Sequence, residues 1–346
     1  MKVNREKLLS DIKQVKGMAS TETELDQVLT NLKFEKGTLC AFNKSVGITI
    51  PCSIEESFIV NAKKFSSVVE GLKTEEIDLL LEDNVLMIKS KSSKVKLSLN
   101  SIDSFPNIKR EFKETEEVPS DLLEGIKFCL INVKKGIGRI DLEGISFDDN
   151  FLVSGDENRV SVFKLDKKVF NCLITEELAN RLLENELPIG MIMHKNILYF
   201  NYENEKQLMG NLVGVDFPKW KNLFDIKETK KVSVELKDIK KAKESLKRIC
   251  SFASASYDNE PIVSVIGKEN KLFLSYRDRK DEIKETILCN KLKEEIDFST
   301  NAVHLLQILD FCDMFYFIEE KNCLYFYTKD KKYRHLIALV IKEKKK

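Results

Sequence analysis

The sequence predicts an α+β fold: three similar domains, each built from two β-α-β-β-β units. Three observations predict it. A short motif recurs six times, its spacing groups the copies in pairs, and amphipathic helical stretches alternate with strand-like runs. The motif is a charged or polar pair, then Asn or Gly, any residue, and Leu. Its copies begin at Glu35-Lys36-Gly37, Glu82-Asp83-Asn84, Asp148-Asp149-Asn150, His194-Lys195-Asn196, Lys268-Glu269-Asn270 and Glu320-Lys321-Asn322. Asn and Gly tolerate the positive φ of tight hairpin turns, and the flanks are strand-like, as in Leu79-Leu80-Leu81 and Tyr325-Phe326-Tyr327. Each copy therefore reads as a β-hairpin, and six hairpins read as an internal repeat.

The copies lie 47, 46 and 52 residues apart within pairs and 66 and 74 residues apart between pairs. That pattern predicts domains over 1–112, 113–229 and 230–346. Ser104-Phe105-Pro106-Asn107 and Asp216-Phe217-Pro218-Lys219 close the first two, since proline cannot donate to a strand ladder. In both, the Phe is expected to anchor the outgoing chain.

In the first domain a helix is predicted over 5–16, with Leu8, Leu9, Ile12 and Val15 inward, followed by strands near 27–35, 38–43 and 46–52. The pattern restarts with strand Phe58-Ile59-Val60, a helix over 62–72 burying Phe65, Val68, Val69 and Leu72, and strands near 76–81, 84–90 and 93–99. The second domain carries helices over 119–135 (Leu122, Ile126, Cys129, Val133) and 175–185 (Leu178, Leu182, Leu183). The third carries helices over 236–254 (Ile239, Ala242, Leu246, Ile249) and 300–312 (Val303, Leu306, Leu309), and ends in a lysine tail over 342–346.

The chain has 346 residues and a net charge of +1 from 57 basic and 56 acidic side chains, so any attraction to DNA must come from charge distribution. Eight scattered cysteines without a CxxC pair read as reduced thiols. With no apolar N-terminal region and no run approaching a membrane span, the protein is expected in the cytoplasm and off the membrane.

The first helix of each domain has a basic face. Arg5, Lys7, Lys13 and Lys16 lie on the first. Lys127, Lys134 and Lys135 lie on the second, and Lys237, Lys240, Lys241, Lys243, Lys247 and Arg248 on the third. A solvated face explains any one of them. Three equivalent faces favour a surface that tracks phosphates without reading bases. No aromatic interleaves the lysines, which argues against a single-strand stacking platform.

No catalytic constellation is evident, and no cofactor or metal is expected. Gly-rich phosphate loops are absent. His194, His304 and His335 are far apart in sequence, the first in a hairpin turn and the second in a helix. Asp148, Asp149 and Asp156 offer a two-metal nuclease as a rival reading, but the first two belong to the repeated turn. Trp220, the sole Trp, is expected at a domain junction.

Taken in order, the residues resemble the bacterial β sliding clamp family, the processivity subunit of the replicative DNA polymerase, in a divergent or phage-encoded form. Glu6-Lys7-Leu8-Leu9 to Val15-Lys16-Gly17 is similar to the family's opening helix. Leu29-Thr30-Asn31-Leu32, Gly37-Thr38-Leu39, Ala62-Lys63-Lys64-Phe65, Gly71-Leu72 and Asp103-Ser104-Phe105-Pro106-Asn107 continue in register. Leu142-Glu143-Gly144-Ile145-Ser146-Phe147 matches a family strand. Gly155-Asp156-Glu157-Asn158-Arg159-Val160 stands where the family has threonine-aspartate-glycine-histidine-arginine-leucine. Its end, Leu336-Ile337-Ala338-Leu339-Val340, lacks the family's methionine-proline-methionine, and Thr21-Glu22-Thr23-Glu24 is acidic where relatives are often basic.

The resemblance implies a DNA clamp fold with sheets outside and helices inside. It implies a homodimeric ring around duplex DNA, and polymerase and clamp-loader partners held through short peptides. By position the peptide pocket would be Leu142, Gly155, Arg159, Val160, Leu336, Ala338, Leu339 and Val340; Phe105, Ile108 and Tyr257 would border the dimer interface. Ordinary strand core is the alternative reading of each pocket residue. The alternative is a monomeric clamp-fold protein that binds peptides and does not encircle DNA.

Overall fold

The computed structural model describes residues 1–20, 27–106, 108, 115–136, 138–226, 229–255 and 260–341. The first half-module is β1 (Lys2–Asn4), α1 (Arg5–Val15), β2 (Asn31–Glu35), β3 (Thr38–Phe42) and β4 (Val46–Pro51). The second is β5 (Phe58–Asn61), α2 (Ala62–Gly71), β6 (Glu76–Glu82), β7 (Val85–Lys89) and β8 (Lys94–Ser98). The third has α3 (Leu122–Cys129), β9 (Gly144–Asp148), β10 (Phe151–Gly155) and β11 (Arg159–Lys164). The fourth has β12 (Cys172–Thr175), α4 (Glu176–Leu183), β13 (Gly190–His194), β14 (Ile197–Asn201) and β15 (Gln207–Asn211). The fifth has β16 (Val232–Leu236), α5 (Ile239–Ser254), β17 (Ile262–Lys268), β18 (Lys271–Asp278) and β19 (Asp281–Leu292). The last is β20 (Ile296–Asn301), α6 (Ala302–Ile308), β21 (Met314–Ile318), β22 (Cys323–Tyr327) and β23 (Tyr333–Ala338).

All six motif copies form hairpin turns, and they share one backbone contact. The carbonyls of Gly37, Asn84, Asn150, Asn196, Asn270 and Asn322 accept the N–H of Cys52, Leu99, Leu165, Leu212, Cys289 and Leu339, at 2.7–2.9 Å. In five modules the turn thus fixes the residue just past the third strand, and in the fifth it holds Cys289 within β19. The positive φ is not always on the Asn: at three turns it falls on the preceding Asp83, Asp149 or Lys195. Either central residue of a two-residue loop can take the left-handed position.

The entry to the helices also repeats. Asn4, Asn61 and Asp238 accept the N–H of Lys7, Lys64 and Lys241 at 2.9–3.0 Å, and Asn301 accepts that of Val303 at 2.9 Å. These caps satisfy N–H groups that a helix cannot pair internally.

By compactness the chain forms two units, Met1–Val118 with Glu177–Gly214, and Pro119–Glu176 with Val215–Lys346. The first unit holds a four-stranded sheet, β1-β6-β7-β8, and a seven-stranded sheet, β13-β14-β15-β4-β3-β2-β5. The second holds a twelve-stranded sheet, β12-β9-β10-β11-β23-β22-β21-β16-β19-β18-β17-β20. Half-modules exchange their leading strands: β1 pairs β6 while β5 pairs β2, and β16 pairs β21 while β20 pairs β17. Third strands join modules laterally, β4 with β15 and β11 with β23.

Four sequence expectations need correction. The helix expected over 119–135 ends at Cys129 and tightens into a 3-10 turn, Leu130–Asn132. There buried Asn132 leaves the helix to donate to Ser161 Oγ at 2.8 Å. The strand expected from residue 27 begins at Asn31, because Gln27–Thr30 is a 3-10 turn closed by Asn31 Nδ2 on the Val28 carbonyl. The helix expected from 236 starts at Ile239, because Leu236 still pairs in β16. The helix expected over 300–312 spans Ala302–Ile308 and buries Ala302, His304, Leu305 and Ile308, not Val303 and Leu306. The Asn301 cap fixes its start, and so which face turns inward. The remaining helices agree with their predicted spans within two residues.

Candidate nucleic-acid interface and peptide groove

The basic helices keep their lysines in solvent. Lys13 and Lys16 on and after α1, Lys127 on α3, Lys134 and Lys135 beyond it, and Lys237, Lys240, Lys241 and Lys247 at α5 are all exposed. Among the described residues, Lys13, Lys127, Lys135, Lys237, Lys240 and Lys247 have no ion-pair partner. Their opposite faces explain the exposure: Leu8, Ile12 and Val15, then Leu122, Ile126 and Cys129, then Ala242, Leu246 and Ile249 are buried.

Other candidates are less available. Arg5 is half-buried beside Glu6, 3.4 Å away. Lys16 lies 3.4 Å from the Ser66 hydroxyl. Lys241 is 3.9 Å from its capping Asp238, and Lys243 is held by Asp310. Arg248 donates from Nε and Nη2 to Glu285 at 2.7 and 2.8 Å, so this guanidinium is already neutralised. Sequence periodicity placed Arg248 on the helix face but had no view of Glu285, which arrives on β19.

Of the candidate pocket residues, Gly155, Arg159, Val160, Leu336 and Ala338 lie along or beside the β11–β23 pairing, whereas Leu142 sits in a 3-10 turn before β9 and Val340 donates its N–H to the Ser299 carbonyl. Val160 stands opposite Leu336, and Gly155 opposite Val160. Alternation along the strands puts Phe163, Tyr333 and His335 against Phe128 of α3, and Val160, Val162, Arg334 and Leu336 on the other face. Leu142 and Leu339 are buried, while Ala338 and Val340 are exposed. Phe217 approaches Gly155, and a Cβ there would lie 2.8 Å from the Arg159 carbonyl.

Arg159 does not face a ligand. Its side chain is 1% exposed and donates through Nε and Nη2 to Asp156 Oδ2 at 3.0 and 2.8 Å. Its Nη1 donates to Gln307 Oε1 of α6 at 2.5 Å. Burial works to raise the Asp156 pKa, but the Arg159 hydrogen bonds outweigh it and hold the carboxyl below its ordinary range. Lys134 approaches the same carboxylate at 3.8 Å. His304 and His335 complete this core. Burial lowers the His304 pKa to about 4, and fully buried His335 lies well below the ordinary histidine value. Ser161 Oγ is 2.8 Å from His335 Nδ1.

Trp220 is buried against Val153 and Val162, and its Nε1 donates to Asp148 at 2.8 Å. That contact removes Asp148 from any metal-site reading. Asp149 pairs with Lys168 at 2.9 Å, and Asp156 with Arg159. Among the described residues no His, Cys, Asp or Glu group is arranged to hold a metal ion. His194 is the exposed last residue of β13, not a turn residue.

Phe105 is buried beside Cys40 and Ile59, and half-buried Ile108 packs on the same cluster, so both serve the core of this chain. Tyr257, the Thr21–Glu24 loop and the lysine tail lie outside the described residues. No described helix is long and apolar enough to cross a membrane.

Comparison with known proteins gives a consistent answer. The family described as DNA polymerase III beta subunit, N-terminal domain, matches residues 1–109. The β sliding clamp of Mycoplasma pneumoniae is 24% identical over 326 residues, covering 85% of this chain and 82% of that protein. The DNA polymerase sliding clamp of Bacillus subtilis superposes with a TM-score of 0.86 at 17% identity, covering 99% of both chains. The β clamp of Helicobacter pylori, solved bound to a DNA ligase peptide, does so with a TM-score of 0.80 at 17% identity over 99% of both chains. The first third thus matches that N-terminal domain family, most of the chain is similar in sequence to a β sliding clamp, and the whole chain shares the fold of the solved clamps.

Proposed function

We propose that the chain is a DNA sliding clamp, a non-catalytic processivity factor that encircles duplex DNA as a homodimer of three-domain subunits divided at 1–112, 113–229 and 230–346. One observation supports the ring most directly. Four of the six third strands are joined in lateral pairs, β4 with β15 and β11 with β23. The other two, β8 and the Asp281–Ile287 stretch of β19, each have one edge without a strand partner among the described residues. Unpaired strand edges seek partners. Pairing β8 of one subunit with β19 of the next repeats the junction already made twice within the chain. Such a head-to-tail contact, made twice, closes a ring. Lys94 and Lys96 on β8 are opposite in sign to Asp281 and Glu282 on β19, where Lys284 lies 2.9 Å from Glu282 and Glu285 is held by Arg248.

In that ring the lysines of α1, α3 and α5 are the DNA contacts. They act without reading sequence and permit sliding, and enclosure makes a net charge near zero sufficient. The groove at Val160 and Leu336 receives short peptides of the polymerase and clamp loader, as the H. pylori clamp receives a ligase peptide. The cytoplasm is the expected compartment.

Sedimentation equilibrium at micromolar concentration tests ring closure. A dimer that Lys96→Glu weakens and a compensating Glu282→Lys restores is the expected result. A stable monomer would instead support a clamp-fold peptide binder that does not encircle DNA.

A further inference from the structure

We propose that the peptide groove continues past its apolar pocket onto a basic, tyrosine-floored annex, and that an acidic segment of the same partner peptide occupies it. This rests on the peptide-binding reading of the Val160–Leu336 site and adds the chemistry of its occupant.

Strand register carries the argument. Gly155 pairs Val160, Val160 pairs Leu336, Leu336 pairs Tyr325, and Tyr325 pairs Tyr316. These residues form one row across five adjacent strands, on the face away from α3. The next row runs Val153, Val162, Arg334, Tyr327 and Met314. The inward neighbours of the tyrosines, Phe315 and Phe326, pack with Leu246 and Leu305 of the helices, which leaves Tyr316, Tyr325 and Tyr327 on the outer face. Adjacent strands are ~4.8 Å apart, so the row from Val160 to Tyr316 runs ~14 Å, enough for several residues of extended peptide.

A groove of about 550 Å³ lies over these tyrosines. Phe224, Tyr316, Tyr325 and Tyr327 supply rings, and Lys164, Lys231, Lys331 and Arg334 supply positive charge. Asp225 and Asp330 also border it, leaving two cations in excess. The Asp330 carboxylate is already engaged by the Thr328 hydroxyl and the Lys332 N–H.

Arg334 is the centre of the annex. Its guanidinium carbon lies 5.2, 5.8 and 5.6 Å from the ring centres of Phe151, Trp220 and Phe224. Among the described residues no carboxylate pairs with it; its buried Nε has no acceptor, and the Tyr325 hydroxyl is its side-chain hydrogen-bond partner. A planar guanidinium held rigid by rings and lacking an anion is suited to a carboxylate supplied from outside. Lys231, 5.2 Å above the Tyr316 ring, adds a second cation at the far end.

The test uses two synthetic peptides with the same Leu-Leu-Phe anchor, one flanked by a run of Glu and the other by a run of Gln. Each is titrated against the full chain at two salt concentrations, following peptide anisotropy and Trp220 fluorescence. The acidic peptide is expected to bind about tenfold tighter. Arg334→Gln should remove that advantage and leave the Gln peptide unaffected, and the rim variants Lys231→Gln and Lys331→Gln should each reduce it. Equal binding of both peptides would overturn the annex and leave the apolar pocket standing. Binding of neither would overturn the pocket as well. An advantage that survives the annex variants but disappears in Lys240→Gln/Lys247→Gln would assign the attraction to the basic helices and also overturn the proposal.

Discussion

Replacing Asp156 with Asn isolates Arg159, the most heavily buried charge among the described residues. Arg159 and Asp156 are 1% and 5% exposed, and the carboxylate receives two guanidinium hydrogen bonds. Asn preserves the shape of the turn, where Asp156 Oδ1 accepts the Asn158 N–H at 2.8 Å, but leaves Arg159 charged and unpaired. Stranding one member of a buried pair costs about 3–5 kcal/mol. With a urea m-value of about 2–3 kcal/mol/M, the midpoint should fall by about 1–2.5 M. Trp220 packs on Val153 and Val162 in the same two strands, so its fluorescence follows this transition directly. The double variant Asp156→Asn/Arg159→Met removes both charges and should regain at least half of the loss. A single variant within about 1 kcal/mol of the parent, or a double no better than the single, would refute the claim that charge compensation holds this junction.

Four further outcomes are expected. Lys240→Glu/Lys247→Glu should weaken DNA retention and flatten its salt dependence by about one unit of slope per lost phosphate contact. Arg248→Gln should change it little, because Glu285 already neutralises that side chain; filter binding across a salt series separates the two. The folded His304 pKa of about 4 lies below the ordinary 6.5, so the unfolded chain binds the proton more readily. Its contribution is present above pH 6.5 and lost as pH falls toward 4, and His304→Gln should reduce the slope of urea stability over that window, leaving the share of His335. Gly125→Ala should destabilise by about 1–3 kcal/mol, since its Cβ would meet Phe163 at 2.5 Å and Leu152 at 2.8 Å; thermal unfolding reads this.

Much of the fold was legible because the repeat is written locally. Turn residues and apolar stripes act within a few positions: all six hairpins formed where those signals lay, and six helices formed within the predicted stretches, although those expected over 119–135 and 300–312 are shorter, at Leu122–Cys129 and Ala302–Ile308. Pairing between half-modules was not legible. Nothing in β1 specifies β6, or in β11 specifies β23, because strand partners are chosen by tertiary packing. The basic faces were visible from helical period, but their neutralisation by Glu285 or Asp310 comes from elements distant in sequence. In the groove, Val160 and Leu336 were found by resemblance. Tyr325-Phe326-Tyr327 was read only as a strand, although its alternation already placed two tyrosines on one face. Arg334 gave no signal, because its significance lies in Phe151, Trp220 and Phe224 converging on it.

The central claim is enclosure, and a nicked circular duplex tests it most directly. Protein bound to the circle at low salt is challenged with high salt, and the circle is then cut once with a restriction enzyme. The ring account predicts retention through the salt challenge and release on cutting. Salt-induced loss from the intact circle, or equal retention on circular and linear DNA, would contradict it.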